Sequence, residues 1–117
     1  MNKSRLMVQT IKDAHHVSFM DSRILDESSI KAIYTDINEL VANNDKIKLI
    51  LDFENVDYLS SAVLGKLVAL NKEVKNAKGH MVLANIKKPI LEVFKITKLD
   101  QVLDIRKDAF AAMKAFG

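Results

Sequence analysis

Three acidic side chains at close spacing are the first candidates for a chemical site. Asp52, Glu54 and Asp57 offer the carboxylates that a calcium-binding loop requires. Such a loop also needs glycine at its sixth position and glutamate at its twelfth, and Asp57 and Val63 stand there instead. The pattern therefore does not predict a calcium site.

The three histidines do not predict a metal site either. His15 and His16 are adjacent near the start of an expected strand, so their side chains point to opposite faces of the sheet. His80 stands alone in the sequence. We expect solvated or half-buried histidines rather than ligands, and the sequence predicts no metal and no other cofactor.

The residue types needed for catalysis are also missing or badly spaced. There is no cysteine, which excludes thiol chemistry and Cys-based zinc sites. The three glycines are too few for a phosphate-binding loop, and no Ser/His/Asp spacing resembles a triad. Asp100, Asp104 and Asp108 are interpreted as turn and cap residues, since a strand is expected between them. The sequence therefore predicts a protein that is not an enzyme.

Two adjacent serines, Ser60 and Ser61, precede an expected helix and follow a central strand. In open α/β sheets, functional sites lie at the carboxyl ends of the strands. Either serine could cap the helix by accepting backbone N–H bonds. A phosphorylated serine would instead lie at the positive end of the helix dipole, adding about −1.5 to −2 charges to a surface that a partner covers. Both interpretations are open on the residues alone.

Hydrophobic patterning predicts the elements that position these serines. Apolar residues three and four apart predict one helix from Ile30 to about residue 43 and another over residues 61–77. The second helix has an inner face of Val63, Leu67, Leu70 and Val74, and Gly79 can take the left-handed conformation at its end. Apolar runs predict central strands over residues 48–53 and 81–84.

The remaining elements complete an α/β fold. Strands are expected over residues 6–11, 17–20 and 102–105, with a short helix from Pro89 and a terminal helix from Asp108 to Phe116. The order β-β-α-β-α-β-α-β-α predicts a small open mixed, mainly parallel β-sheet with helices packed on it.

Length and composition limit the classes of function. A chain of 117 residues predicts one domain over residues 1–117, and 49% hydrophobic residues support a real core. Eighteen basic and fifteen acidic side chains leave a net charge of +3 without a basic stripe, so no nucleic-acid partner is expected. With no membrane-spanning run and no signal peptide pattern, we predict a soluble, cytoplasmic protein without a membrane partner.

Residues 52–65, Asp-Phe-Glu-Asn-Val-Asp-Tyr-Leu-Ser-Ser-Ala-Val-Leu-Gly, resemble the phosphoacceptor loop of the STAS family, the anti-sigma-factor antagonists. Residues 24–26, Ile-Leu-Asp, are similar to the family's segment with an aspartate before the first helix. Residues 83–100 resemble its C-terminal segment with a short helix and a Leu-Asp turn. The three segments occur in the family's order, and the resemblance implies a STAS-like fold.

The resemblance also implies site residues. Alignment of Leu64-Gly65 with the family's loop places the phosphoacceptor at Ser61, with Ser60 as the alternative. Ser60 replaces an acidic residue of the family pattern, and Val63 replaces a glycine. Asp26 is expected either near the acceptor or as a helix cap. The implied partner-binding surface consists of Asp26, Tyr58, Leu59, Ser60, Ala62, Val63, Gly65 and Lys66.

The implied function is regulation in a bacterial partner-switching pathway. The unphosphorylated domain would bind an anti-sigma factor that is also a serine kinase of the histidine-kinase-like ATPase fold. Phosphorylation of Ser61 would release it, a serine phosphatase would reset it, and sigma-factor-dependent transcription would respond. One alternative is a scaffold that assembles with similar domains, as an oligomer, without phosphorylation. Another is a nucleotide-binding module at the helix N-terminus, where Lys66 is the only nearby cation.

Overall fold

A five-stranded sheet organises the structure. The computed structural model describes residues 6–24 and 27–116. The elements are β1 (Leu6–Ile11), β2 (Ala14–Phe19), β3 (Arg23–Ile24), α1 (Glu27–Asn43), β4 (Lys48–Asp52), β5 (Tyr58–Leu59), α2 (Ser61–Asn76), β6 (His80–Ala84), α3 (Lys88–Ile96), a 3₁₀ turn (Leu99–Gln101), β7 (Asp104–Arg106) and α4 (Ala109–Ala115).

The strand order in the sheet is β1-β2-β4-β6-β7. Within this sheet only the pair β1 and β2 is antiparallel, and the other neighbours are parallel. The predicted α/β fold with a mixed, mainly parallel sheet is therefore confirmed.

Helices cover both faces of the central strands. On one face, α1, α2 and α3 contribute Ile37, Leu70 and Phe94 to the main core, all of them buried. On the other face, the short helix α4 packs Ala112 against Ile50 and its neighbours. Because β4 and β6 are covered on both faces, their residues do not need to alternate between apolar and polar. This explains the continuous apolar runs in both strands.

Two strands differ in position from the prediction. β2 begins at Ala14 rather than at residue 17, because a two-residue loop reverses the chain and Lys12 takes a left-handed conformation with φ 58°. β7 covers Asp104–Arg106 rather than residues 102–105, since the preceding 3₁₀ turn extends to Gln101. The expectation for His15 and His16 is met, because both lie in β2 and their partly buried side chains alternate across it.

The end of α2 uses a residue other than the expected glycine. Lys78, with φ 61°, holds the left-handed position, and the N–H of Gly79 donates to the carbonyl of Val74 at 2.8 Å. The prediction that Gly79 takes the left-handed conformation is therefore wrong. Gly79 is needed for space, since a Cβ atom there would lie 2.5 Å from the carbonyl oxygen of Ile47.

The outer strand β7 carries charged side chains that pair with each other and with β6. Asp104 accepts from the Nε of Arg106 at 2.6 Å and lies 2.8 Å from the Nε2 of His80. Partial burial acts to raise the pKa of Asp104, but the hydrogen bonds and the charge interactions with Arg106 and His80 together hold that pKa below its ordinary value. This edge of the sheet is therefore charged.

Candidate functional site

The small parallel ribbon of β3 and β5 holds the start of α2 in place. Arg23 pairs with Tyr58, and Ile24 pairs with Leu59. Beyond the ribbon, the N–H of Ser60 donates to the carbonyl of Ile24 at 3.1 Å. The N-terminal end of α2 is thus tied to the segment that precedes α1.

A buried carboxylate fixes the loop that leads into this ribbon. The side chain of Asp52, at the end of β4, is only 7% exposed. Its Oδ1 accepts from the backbone N–H of Glu54 at 2.9 Å and from the Nδ2 of Asn85 at 3.1 Å. Its Oδ2 lies 2.8 Å from the Nε2 of His16, whose side chain is 13% exposed. Asp52 therefore joins β2, β4 and the residue after β6 at one edge of the sheet.

This network was not found from the sequence. His16 and Asn85 lie 36 and 33 positions from Asp52, so the local spacing of residues does not predict these contacts. Its one sequence signal is an aspartate directly after a strand that is apolar on both faces, where a charge needs partners. No group of three His, Cys, Asp or Glu side chains in the described ranges could hold a metal ion.

The two serines differ in exposure. Ser60 occupies the N-cap position of α2 with extended backbone, φ −78° and ψ 161°, but its side chain makes no capping hydrogen bond. Its Oγ is buried and has no hydrogen-bond partner among the described residues. Ser61, the first residue of α2, is exposed. The side-chain cap considered for this helix is thus absent at Ser60, and Ser61 is the residue that offers its surface to solvent.

The exposed face of the first two turns of α2 consists of small residues and one cation. Ser61 and Gly65 are four positions apart, so they are neighbours on one face of the helix, and Ala62 and Lys66 extend it. We call Ser61, Ala62, Gly65 and Lys66 the α2 surface. A Cβ atom at Gly65 would meet no described atom within 4 Å, so packing against the described residues does not require this glycine.

Val63 does not belong to that surface. It is only 7% exposed and contributes to the main core, as its spacing with Leu67 and Leu70 requires. The expectation that Val63 contacts a partner is therefore corrected. Leu59 is partly buried against the same core.

Two cation–π contacts involve residues of the implied partner-binding surface. The guanidinium of Arg23 lies 5.4 Å from the ring centre of exposed Tyr58, and the Nζ of Lys66 lies 4.9 Å from the ring centre of Tyr34. Asp26, the remaining residue of the implied surface, lies outside the described residues. The described geometry thus brings Tyr58 and the α2 surface to one end of the sheet.

A comparison of the sequence with models of protein families identifies the family of this chain. A model of the STAS domain matches residues 8–112. The chain belongs to the STAS domain family. Proteins of this family that act as anti-sigma factor antagonists are regulators rather than enzymes, and this STAS domain is a non-enzymatic regulator.

A relative supports this membership, and solved structures share the fold. BtrV of Bordetella bronchiseptica, which carries the name anti-sigma factor antagonist, is 32% identical over 80 residues, 67% of this chain and 69% of BtrV. An anti-sigma-factor antagonist (STAS) domain protein from Planctomyces limnophilus has a TM-score of 0.84 at 21% identity, covering 99% of this chain and 100% of that chain. The Bacillus cell fate determinant SpoIIAA in its phosphorylated form has a TM-score of 0.68 at 16% identity, covering 94% and 98%.

No helix in the described part of this STAS domain is long and apolar enough to cross a membrane.

We expect the Asp52 network to contribute far more to the free energy of unfolding than the exposed carboxylate of Asp57. We expect Asp52→Ala to lower the free energy of unfolding by about 3 kcal/mol, because it leaves His16 and the Asn85 amide without their partner. Asp57→Ala removes only the exposed ion pair with Lys87 and should cost at most about 1 kcal/mol. Urea unfolding followed by circular dichroism measures both.

Asp52→Asn serves as the rescue variant, because it retains an oxygen that can accept from Glu54 and Asn85. Its loss of stability should lie between those of the two alanine variants. Equal losses for Asp52→Ala and Asp57→Ala would contradict the importance assigned to the network.

Proposed function

We propose that this STAS domain is a bacterial anti-sigma factor antagonist that binds an anti-sigma serine kinase while Ser61 is unmodified. The kinase, of the histidine-kinase-like ATPase fold, phosphorylates Ser61 and thereby releases the domain, and a serine phosphatase restores the binding form. The observation that carries the proposal is the exposure of Ser61 at the start of α2, beside a Ser60 hydroxyl that is buried. The names of BtrV and of phosphorylated SpoIIAA support it.

The start of α2 can accept a phosphate without disturbing the fold. The first turn contains no acidic side chain, so the positive end of the helix dipole has no anionic partner on its own helix. A phosphate on Ser61 would lie next to the first backbone N–H groups of α2, which favour an anion. The modification therefore changes the charge of the docking surface and leaves the core intact.

The small side chains of the α2 surface allow a partner to approach the helix closely. Gly65 in a helix costs about 1 kcal/mol relative to alanine, and no described residue occupies the space above it. A partner that packs on the bare backbone at Gly65 would also cover Ser61 one turn earlier. The surface that binds the partner would then also contain the residue that is phosphorylated.

A charge at Ser61 should abolish binding while the fold remains stable. Ser61→Asp is expected to weaken binding to the domain's anti-sigma serine kinase at least about tenfold, because the complex would bury an unpaired charge. Unfolding of Ser61→Asp should be unchanged or shift toward higher stability, since the aspartate lies at the helix N-terminus. Calorimetric titration against candidate kinases from the same organism, with thermal unfolding in parallel, measures both.

Ser61→Ala and Ser60→Ala are the matched controls, and both should bind as the unmodified domain does. Unchanged affinity of Ser61→Asp for a kinase that binds the natural chain would refute the proposed switch. A Ser60→Ala variant that binds poorly without loss of stability would instead assign the contact to the other serine.

Gly65 provides a test in which stability and binding move in opposite directions. We expect Gly65→Ala to raise the free energy of unfolding by about 0.5–1 kcal/mol, because alanine is the better helix former and its Cβ meets open space. The same methyl group should weaken kinase binding about tenfold by keeping the partner off the backbone. Lys72→Ala, on an exposed position later in α2, is the control and should leave binding unchanged. Full binding by Gly65→Ala would show that the partner does not approach this part of the helix.

A further inference from the structure

In the part of the chain that the structure describes, no strand pairs with the outer edge of β1. Its six residues, Leu-Met-Val-Gln-Thr-Ile, include no charge, no proline and no glycine. Met7 is 45% exposed, Val8 44% and Ile11 38%. Proteins normally protect a sheet edge with charges, proline, a bulge or a covering element, and β1 has no such side chain.

The opposite edge of the same sheet is protected. β7 has only three residues, and its Asp104 and Arg106 side chains form an ion pair. The contrast indicates that the exposed backbone of β1 is available for pairing, whereas β7 is not.

The hairpin register fixes which backbone groups of β1 face outward. Ile11 is paired with Ala14 across a two-residue loop, and Gln9 and Met7 follow at alternate positions along the ladder. Residues that flank such a loop bond to each other, and the bonding alternates from there. The N–H and C=O groups of Leu6, Val8 and Thr10 therefore point away from β2.

We propose that β1 pairs with β1 of a second copy of this chain, antiparallel and with Val8 opposite Val8 of the other copy. The outward-facing residues are symmetric about Val8, so this register sets Leu6 of each copy opposite Thr10 of the other. It forms about six backbone hydrogen bonds, and a shift by two residues forms fewer. The two five-stranded sheets then continue as one sheet through a two-fold axis.

A second copy is the occupant because the strand is complementary to itself. With no charge in β1, antiparallel self-pairing brings no like charges together. Val8 lies beside the fully buried Val17 of β2, so Val8 of the other copy would extend the main core across the axis. The area buried by pairing through one strand is small compared with the roughly 1,200–2,000 Å² that stable interfaces bury. We therefore expect the fraction of dimer to depend on protein concentration.

The proposed dimer uses a different surface from the α2 surface. β1 is the outermost strand of the sheet, whereas Ser61 lies at the start of α2, at the carboxyl ends of the strands. The inference therefore stands without the proposed kinase switch. A paired domain would present two α2 surfaces in one particle.

Disulfide trapping tests the register, since the natural chain has no cysteine. In Val8→Cys the two Cα atoms would be about 5.5 Å apart, within the disulfide range. In Thr10→Cys they would be about 14 Å apart, although that residue is also exposed. Mild oxidation of the full chain should give at least about ten times more covalent dimer for Val8→Cys than for Thr10→Cys. Equal yields, or the highest yield for a Gln9→Cys variant, would overturn the proposal.

Self-association in solution provides the second measurement. Val8→Lys places two like charges opposite each other at the axis and should weaken dimerisation at least about tenfold in sedimentation velocity at rising concentration. Ile96→Lys, at a residue of α3 that is 77% exposed, is the control and should dimerise as the natural chain does. Circular dichroism establishes that both variants fold. A natural chain that remains monomeric at millimolar concentration would also refute the dimer.

Discussion

The Asp52 carboxylate is the constraint on which the arrangement of the site depends. A buried carboxylate is costly unless donors surround it, and here it is held by a backbone N–H, the Asn85 amide and the His16 ring. These contacts close the loop after β4 against β2 and β6. β5 and the start of α2 follow this loop in the chain, and β5 pairs with the earlier strand β3, so the position of the ribbon and of α2 depends on that closure.

A rigid base of this kind suits a domain whose output is a change of surface. Val63, in the first turn of α2, is buried in the core, whereas Ser61 and Gly65 on the opposite side of the helix are exposed. Under the proposed function, the phosphate acts where the fold is least sensitive to it. The partner then senses a new charge rather than a refolded segment.

The sequence predicted the elements that have a clear hydrophobic period. The three- and four-residue spacing of α1 and α2 and the apolar runs of β4 and β6 were sufficient for the order of the fold. The same spacing placed Val63 on the inner face of α2, whereas the family resemblance placed it on the partner-binding surface. The burial of Val63 agrees with the spacing. The ribbon of β3 and β5 was missed because two-residue strands have no period. The Asp52 network was missed because its partners are remote in sequence and local patterns do not report them.

Mapping of the phosphorylation site tests most directly whether the kinase phosphorylates Ser61. The chain would be incubated with ATP and an anti-sigma serine kinase from its own organism that binds it, followed by intact-mass spectrometry and fragmentation of the peptide that contains both serines. We expect one added phosphate on Ser61, which is lost in Ser61→Ala and retained in Ser60→Ala. A phosphate on Ser60 or on any residue away from the α2 surface, or no phosphate from such a kinase, would contradict it.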